Sequence, residues 1–155
     1  MRAAGWLLLA LFPLSLSAAE HCGGRVLKVA DGDTLELECD GRPMRVRLSQ
    51  IDAPEFRQAH GLRARNALQG LVAGRRVQLE IHGRDAYDRP LATVRLDGLD
   101  VNREMLRRGH AWAYRRGLRD PSLLDDEAYA RERRLGLWSA PDPLPPWQFR
   151  AAVKH

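Results

Sequence analysis

Apolar and polar positions alternate with a period of two in five short stretches of the chain and recur with a helical period in three others. Val26 to Val29 and Leu35 to Cys39 read as strands flanking Asp31-Gly32-Asp33-Thr34, whose Asp-Gly step predicts a hairpin turn. Gly41-Arg42-Pro43 turns the chain into a third strand, where Val46 and Leu48 alternate with Arg45, Arg47 and Ser49, so that one face is buried and the other carries arginines. Pro54 lacks an N–H and has a fixed φ, which predicts that the chain leaves the sheet there with Asp52 and Glu55 at or just past the strand end. Val77, Leu79 and Ile81 alternate with Gln78, Glu80 and His82 in a fourth strand, and Ala92, Val94 and Leu96 share one face of a fifth. Between the third and fourth, Ala64, Leu68, Leu71 and Val72 predict a helix over Gly61 to Ala73, stopped by Gly74, with Arg63 and Arg65 outward. Val101, Met105 and Leu106 mark a short helix ended by Gly109. A third helix starts at Pro121-Ser122, with Leu124, Ala128, Arg131 and Leu135 on one face, and closes at Gly136.

Five short strands with a helix between the third and fourth predict a mainly β, α+β domain: a closed five-stranded barrel of the oligonucleotide-binding type with about three helices. The 155 residues are enough for one domain with a real core and too few for two. Residues 1–19 carry Arg2, an apolar run from Trp6 to Leu16 broken by Pro13, and then Ser17-Ala18-Ala19, which predicts an export signal cut after Ala19. The apolar run is shorter than the roughly 20 residues a membrane span needs. Ala19-Glu20-His21 before Cys22 does not suit lipid attachment. The expected product is periplasmic or secreted, with no membrane attachment once the signal is removed. It consists of a domain over 20–139 and a tail over 140–155, in which the proline-rich stretch Ala140 to Trp147 is expected to be extended, on the surface or free.

Losing residues 1–19 removes one arginine and no acid, so the net charge of +5 becomes +4. Lys28 and Lys154 are the only lysines, and an arginine-rich surface is suited to gripping phosphate bidentately. Cys22 and Cys39 are the only cysteines and, in an oxidising compartment, are expected to pair; closing that loop contributes about 3 kcal/mol on the chain-entropy account. Neither has the spacing of a zinc ligand, and the five histidines, His21, His60, His82, His110 and His155, form no metal-binding motif.

The candidate chemistry begins where Arg47 is followed by Asp52 and Glu55. A guanidinium suits phosphate and a pair of carboxylates suits a hard divalent cation, so their combination points to phosphoester chemistry, against a plain surface ion-pair cluster. Three ordered motifs decide between them: Asp31-Gly32-Asp33-Thr34, then Arg47 through Ile51-Asp52-Ala53-Pro54-Glu55, then Asp85-Ala86-Tyr87-Asp88-Arg89-Pro90-Leu91-Ala92. With Val101-Asn102, Gly109 to Tyr114 and Gly136-Leu137-Trp138, they resemble the staphylococcal nuclease family over roughly Val26 to Ser139.

The resemblance implies a calcium-dependent, often secreted nuclease on a five-stranded barrel. It implies that Asp33, Asp52 and the backbone carbonyl of Ala53 hold Ca2+, that Arg47 and Arg89 grip phosphate, and that Glu55 is the general base. Tyr87 and Tyr114 are then the nucleotide contacts. Ala86 stands where some members have lysine, and the loop between Glu55 and Gly61 is shorter than in the namesake, departures that bear on substrate affinity more than on chemistry. The substrates so implied are DNA and RNA, cut with little sequence preference at the 5′ oxygen to leave 3′-phosphate ends, by a monomer. The competing class is a catalytically silent nucleic-acid-binding barrel. The complete set of Asp33, Arg47, Asp52, Glu55 and Arg89 argues against it, because a silent module has no chemical use for all five.

Overall fold

The computed structural model describes residues 20–153; the expected signal segment, residues 1–19, lies outside the described residues, as do Lys154 and His155. The chain runs β1 (Glu20–Asp31), β2 (Thr34–Cys39), β3 (Arg42–Leu48), β4 (Ile51–Asp52), α1 (Gly61–Val72), β5 (Arg76–Arg84), β6 (Pro90–Leu96), β7 (Leu99–Asp100), α2 (Val101–Arg107), β8 (Trp112–Ala113), α3 (Leu123–Glu132) and α4 (Pro146–Val153). Short 3-10 turns cover Arg115–Gly117 and Gly136–Ser139. The five long strands close into a barrel in the order β3-β2-β1-β5-β6, sealed by a short parallel pairing of β3 with β6 at Arg47–Leu91 and Leu48–Ala92. This is the expected α+β barrel, with one helix more than the sequence pattern indicates.

Closure depends on β1, which is three times the length its apolar pattern marks. Its first half pairs with β5, with Cys22 opposite Leu79, and its second half with β2, with Val29 opposite Leu35. A side chain on Gly24, where the partner changes, would sit 1.8 Å from the Glu38 carbonyl oxygen, so only glycine allows the crossing. Two irregularities in the β1–β2 register then coil the strand around the barrel. The Cys22–Cys39 disulfide ties the β5-paired half of β1 to the end of β2, with the Cα atoms 6.2 Å apart.

Leu35, Leu37, Val46, Leu48, Leu79 and Val94 fill the barrel, and Leu68 and Val72 of α1 with Met105 and Leu106 of α2 cap it; all are essentially inaccessible. Asn102 stands behind the sealing seam. Its amide nitrogen donates to the carbonyls of Ser49 and Ala92 and its amide oxygen accepts from the N–H of Val94, all at 3.0 Å. One buried amide thus partners three backbone groups at the seam, the Ala92 carbonyl among them, which also accepts from the Ser49 N–H.

Two expectations need correction. The buried face of α3 is Leu123, Asp126, Glu127 and Ala130; Ala128 and Arg131 are exposed and Leu124 and Leu135 only half-buried. Apolar periodicity misses that face because two of its members are acids, held inside by arginines. The tail is not simply extended. Pro141 to Pro145 are non-helical, but α4 starts at Pro146, where proline's missing N–H costs nothing, and the Pro145 carbonyl accepts from the N–H groups of Gln148 and Phe149.

Candidate active site

The third strand does not run on to the two carboxylates. β3 ends at Leu48, and the chain turns at Ser49–Gln50, where Gln50 takes a positive φ of 64°. Gln50 is held in that turn from both ends: its carbonyl accepts from Tyr114 N–H at 2.8 Å, and its side-chain oxygen accepts from the N–H groups of Arg119 and Asp120 at 2.7 and 2.8 Å. β4 then pairs with β8, with Asp52 opposite Trp112. The reversal folds Asp52 back onto Arg47, whose Nη2 lies 2.8 Å from Asp52 Oδ1 and 3.3 Å from Asp33 Oδ2.

Asp33 reaches this point from the β1–β2 turn. That turn packs so closely on Ala53 and Ala64 that a Cβ on Gly32 would sit 2.8 and 2.7 Å from theirs. The Ala53 N–H donates to Asp33 Oδ2 at 2.9 Å and the Thr34 hydroxyl to Asp33 Oδ1 at 3.0 Å. Burial pushes the Asp33 carboxyl up to about 7 against the pull of Arg47, and the nearby charges of Asp31 and Asp52 add to the rise. Burial works against the Arg47 guanidinium too, but Asp33 and Asp52 together hold it more firmly protonated than usual.

Two buried carboxylates facing one cationic nitrogen form a place where positive charge is favoured. The two carboxylates offer hard oxygen donors, the chemistry that a hard divalent cation takes; among the described residues no group of three or more His, Cys, Asp or Glu side chains converges there.

Arg47, Asp33, Ala53 and Glu55 line an open cavity of about 1040 Å³, together with Tyr87, Arg89 and Tyr114. Asp52 is fully buried beneath it. The residues assigned from the sequence to metal, catalysis and substrate are thus brought to one place, from the β1–β2 turn, β3, β4 and the loop after it, the β5–β6 loop and, with Tyr114, the segment after β8. Arg89 is aimed by a residue that sequence reasoning passed over. Asp85 Oδ2 accepts from Arg89 Nε and Nη2, each at 2.7 Å, while its Oδ1 accepts from the N–H groups of Tyr87 and Arg89. Although burial raises the Asp85 carboxyl, the bonds from Arg89 and from the Tyr87 N–H outweigh it and keep the group below its usual value. Tyr87 stands 80% exposed at the loop tip with the Arg89 guanidinium 5.6 Å from its ring centre.

The largest omission lies in the tail. Arg150 of α4 grips Asp52 with both ends of its fork, Nη2 to Oδ2 at 2.8 Å and Nη1 to Oδ1 at 3.2 Å, and its Nη1 also meets Glu55 Oε1 at 2.8 Å. Trp147, one helical turn earlier, packs edge-on against Trp112. Gln58 donates to the Leu144 carbonyl and accepts from the Glu55 N–H, so it ties the tail and the Glu55 loop to each other. The one sequence signal was the i, i+3 spacing of Trp147 and Arg150 after a Pro-Pro step, which is consistent with a helix start.

A closed barrel with paired acids, two arginines and an exposed tyrosine around one cleft defines a phosphodiester-cleaving enzyme on an oligonucleotide-binding fold. The sequence profile of the family described as "Staphylococcal nuclease homologue" matches residues 45–140. The chain is 42% identical over 153 residues to "Protein ParB" of Escherichia coli, covering 92% of this chain and 86% of that protein. It is 38% identical over 153 residues to "Micrococcal nuclease" of Shigella flexneri, covering 92% and 88%, and 39% identical over 149 residues to an "Uncharacterized endonuclease" of Haemophilus influenzae, covering 96% and 84%. The chain belongs to the staphylococcal nuclease family and is a nuclease, with nucleic acid as its substrate.

Proposed function

We infer that this nuclease is calcium-dependent and hydrolyses DNA and RNA with little sequence preference, leaving 3′-phosphate ends. The observation that carries the reading is the convergence of Asp33 and Asp52 on Arg47 at the floor of the cavity that Glu55 and Arg89 line. Asp33, Asp52 and the Ala53 carbonyl would hold the ion, which supplies Lewis-acid polarisation of the scissile phosphodiester when bound. Glu55, at the cavity wall, accepts a proton from the attacking water. Arg47 and Arg89 are forks that neutralise the charge growing on the phosphoryl oxygens, Arg47 held by its two acids and Arg89 by Asp85. Tyr87 offers a face on which any base can stack, and contacts with phosphate and ring carry little base information, which supports weak sequence preference. The protein acts as a monomer after export, in the periplasm or outside the cell; the apolar run before Ala19 and the Cys22–Cys39 disulfide support that route.

Cleavage of DNA and RNA measured in parallel with calcium, magnesium and chelator tests this reading. Calcium should support both and chelator abolish both; undiminished cleavage in chelator would sink the calcium assignment.

A further inference from the structure

Asp52 is claimed twice. As a cation ligand it must turn an oxygen to the ion, yet here Oδ1 is shared by Arg47 and Arg150 and Oδ2 is taken by Arg150. Arg47 belongs to the barrel wall and is fixed there by Asp33 as well. Arg150 comes from a helix about 100 residues further along, outside the stretch that the family profile matches. It is 37% exposed at its side chain and lines the same cavity as Arg47, Arg89 and Tyr87.

We propose that Arg150 is a third arginine of the nuclease site: a tethered cation that occupies Asp52 until a divalent cation displaces it, and that then faces the substrate's phosphate. The inference rests on the assignment of Asp52 as a cation ligand. Arg150 engages both oxygens of Asp52 and Arg47 engages one of them as well, so an ion that draws on Asp52 competes with the Arg150 fork for the same lone pairs. The displaced guanidinium stays in the cleft because α4 is held independently of it. Pro146 is buried, Trp147 packs on Trp112, and Gln58 binds the Leu144 carbonyl. A guanidinium released from Asp52 stays beside Glu55 and, among Arg47, Arg89 and Tyr87, gains as its new partner an anionic phosphate oxygen of the bound strand. Arg150 is therefore a catalytic residue supplied by the tail. While it pairs with Asp52 and Glu55, the carboxylates of the ion-free protein are neutralised and the site is closed to solvent cations of low affinity.

The test compares the full-length mature protein with its Arg150→Ala and Arg150→Lys variants. Calcium binding without nucleic acid is followed by titration calorimetry. Binding of a cleavage-resistant phosphorothioate oligonucleotide in calcium, and kcat and KM on DNA, are measured alongside. Arg150→Ala should bind calcium about tenfold more tightly, since a bidentate competitor has gone, and bind the oligonucleotide about tenfold more weakly, with a fall in kcat. Arg150→Lys should lie between the two, because an ammonium keeps the charge but not the fork. Trp147→Ala, which loosens α4 and leaves Arg150 in the chain, should move calcium affinity in the same direction as Arg150→Ala. Unchanged or weaker calcium binding by Arg150→Ala while wild type binds calcium overturns this proposal alone, as does oligonucleotide binding equal to wild type. Absence of calcium binding in wild type and variant alike overturns the cation assignment of Asp52 and this proposal with it.

Discussion

Two clusters of buried acids lie on opposite sides of Trp112 and Ala113, and they are treated differently. On α3, Asp126 pairs with Arg103 at 2.8 Å and Arg107 at 3.1 Å, while Glu127 pairs with Arg131 at 2.6 Å and Arg115 at 3.1 Å and accepts from the Ala113 N–H. Two acids there have four arginines, one on α3 itself and three on the adjoining α2 and the turn after β8. At the floor of the cleft, Asp33 and Asp52 share Arg47, and the second cation on Asp52 is borrowed from the tail. The first cluster is closed and structural. The second is short of built-in positive charge and opens on a cavity, the arrangement expected where a cation and a phosphate are to be received. Buried acids alone therefore do not mark a site; the marks are incomplete local compensation and access.

The sharpest way to break this comparison is to remove one acid charge beside the cleft and one from the α3 cluster. Glu55→Gln should lower kcat by about 10²- to 10⁴-fold, the usual contribution of a general base, with little change in oligonucleotide affinity or thermal midpoint. An equal loss in turnover and binding would remove Glu55 from the base's role. Glu127→Ala should do the converse. It leaves the buried Ala113 N–H without a partner and frees Arg115 and Arg131, whose side chains are half exposed, so a loss of about 1–3 kcal/mol in urea-unfolding stability is expected, with kcat per folded molecule nearly kept. If Glu127→Ala unfolds no more easily than wild type, the structural reading of the α3 cluster is wrong.

Between these extremes lies Asp33→Asn. Burial makes the Asp33 charge costly in the ion-free protein, and the amide is its neutral isostere. The variant should lose cleavage in calcium while its ion-free thermal midpoint rises by a few degrees, on the order of 1 kcal/mol. A lower midpoint would mean that the Asp33–Arg47 contact outweighs the cost of burying the charge.

The sequence made the barrel and its chemistry readable because both leave local marks. Val46 and Leu48 alternate with Arg47, Asp-Gly steps mark turns, and Asp33, Arg47, Asp52, Glu55 and Arg89 fall in motifs whose order resembles one family. What stayed hidden depends on contacts distant in sequence. The turn at Ser49–Gln50 interrupts what reads as one strand, because Gln50 finds its partners some 65 residues later at Tyr114, Arg119 and Asp120. The buried face of α3 is acidic, and an acid's burial cannot be inferred until its arginines are located. Arg150 escaped for the same reason: in a proline-rich tail, nothing in the neighbouring residues reveals that its partners are Asp52 and Glu55.

The smallest effect concerns a pair outside both clusters. His60 Nε2 and His110 Nδ1 are 2.9 Å apart, joining the start of α1 to the end of α2. Burial, with His60 and Arg108 nearby, holds the His110 imidazole down at about 4, and burial with Arg63 lowers His60 as well. Both histidines are more readily protonated unfolded than folded, so their stabilisation is complete above the ordinary histidine value of 6.5 and is lost as pH falls through the window down to about 4. Asp33 works with the opposite sign. Its raised folded value means that the native state gains protons first, so its contribution grows as pH falls from about 7 toward 3.8. In wild type the two slopes oppose each other. In His110→Gln, which keeps a polar side chain and removes the titration, the thermal midpoint should fall less between pH 6.5 and 4 than in wild type, by up to about a few degrees per pH unit, the ceiling that linkage of one proton sets. In Asp33→Asn the same scan should steepen. Parallel curves for all three proteins would show that neither the histidine pair nor the buried acid of the cleft titrates with folding.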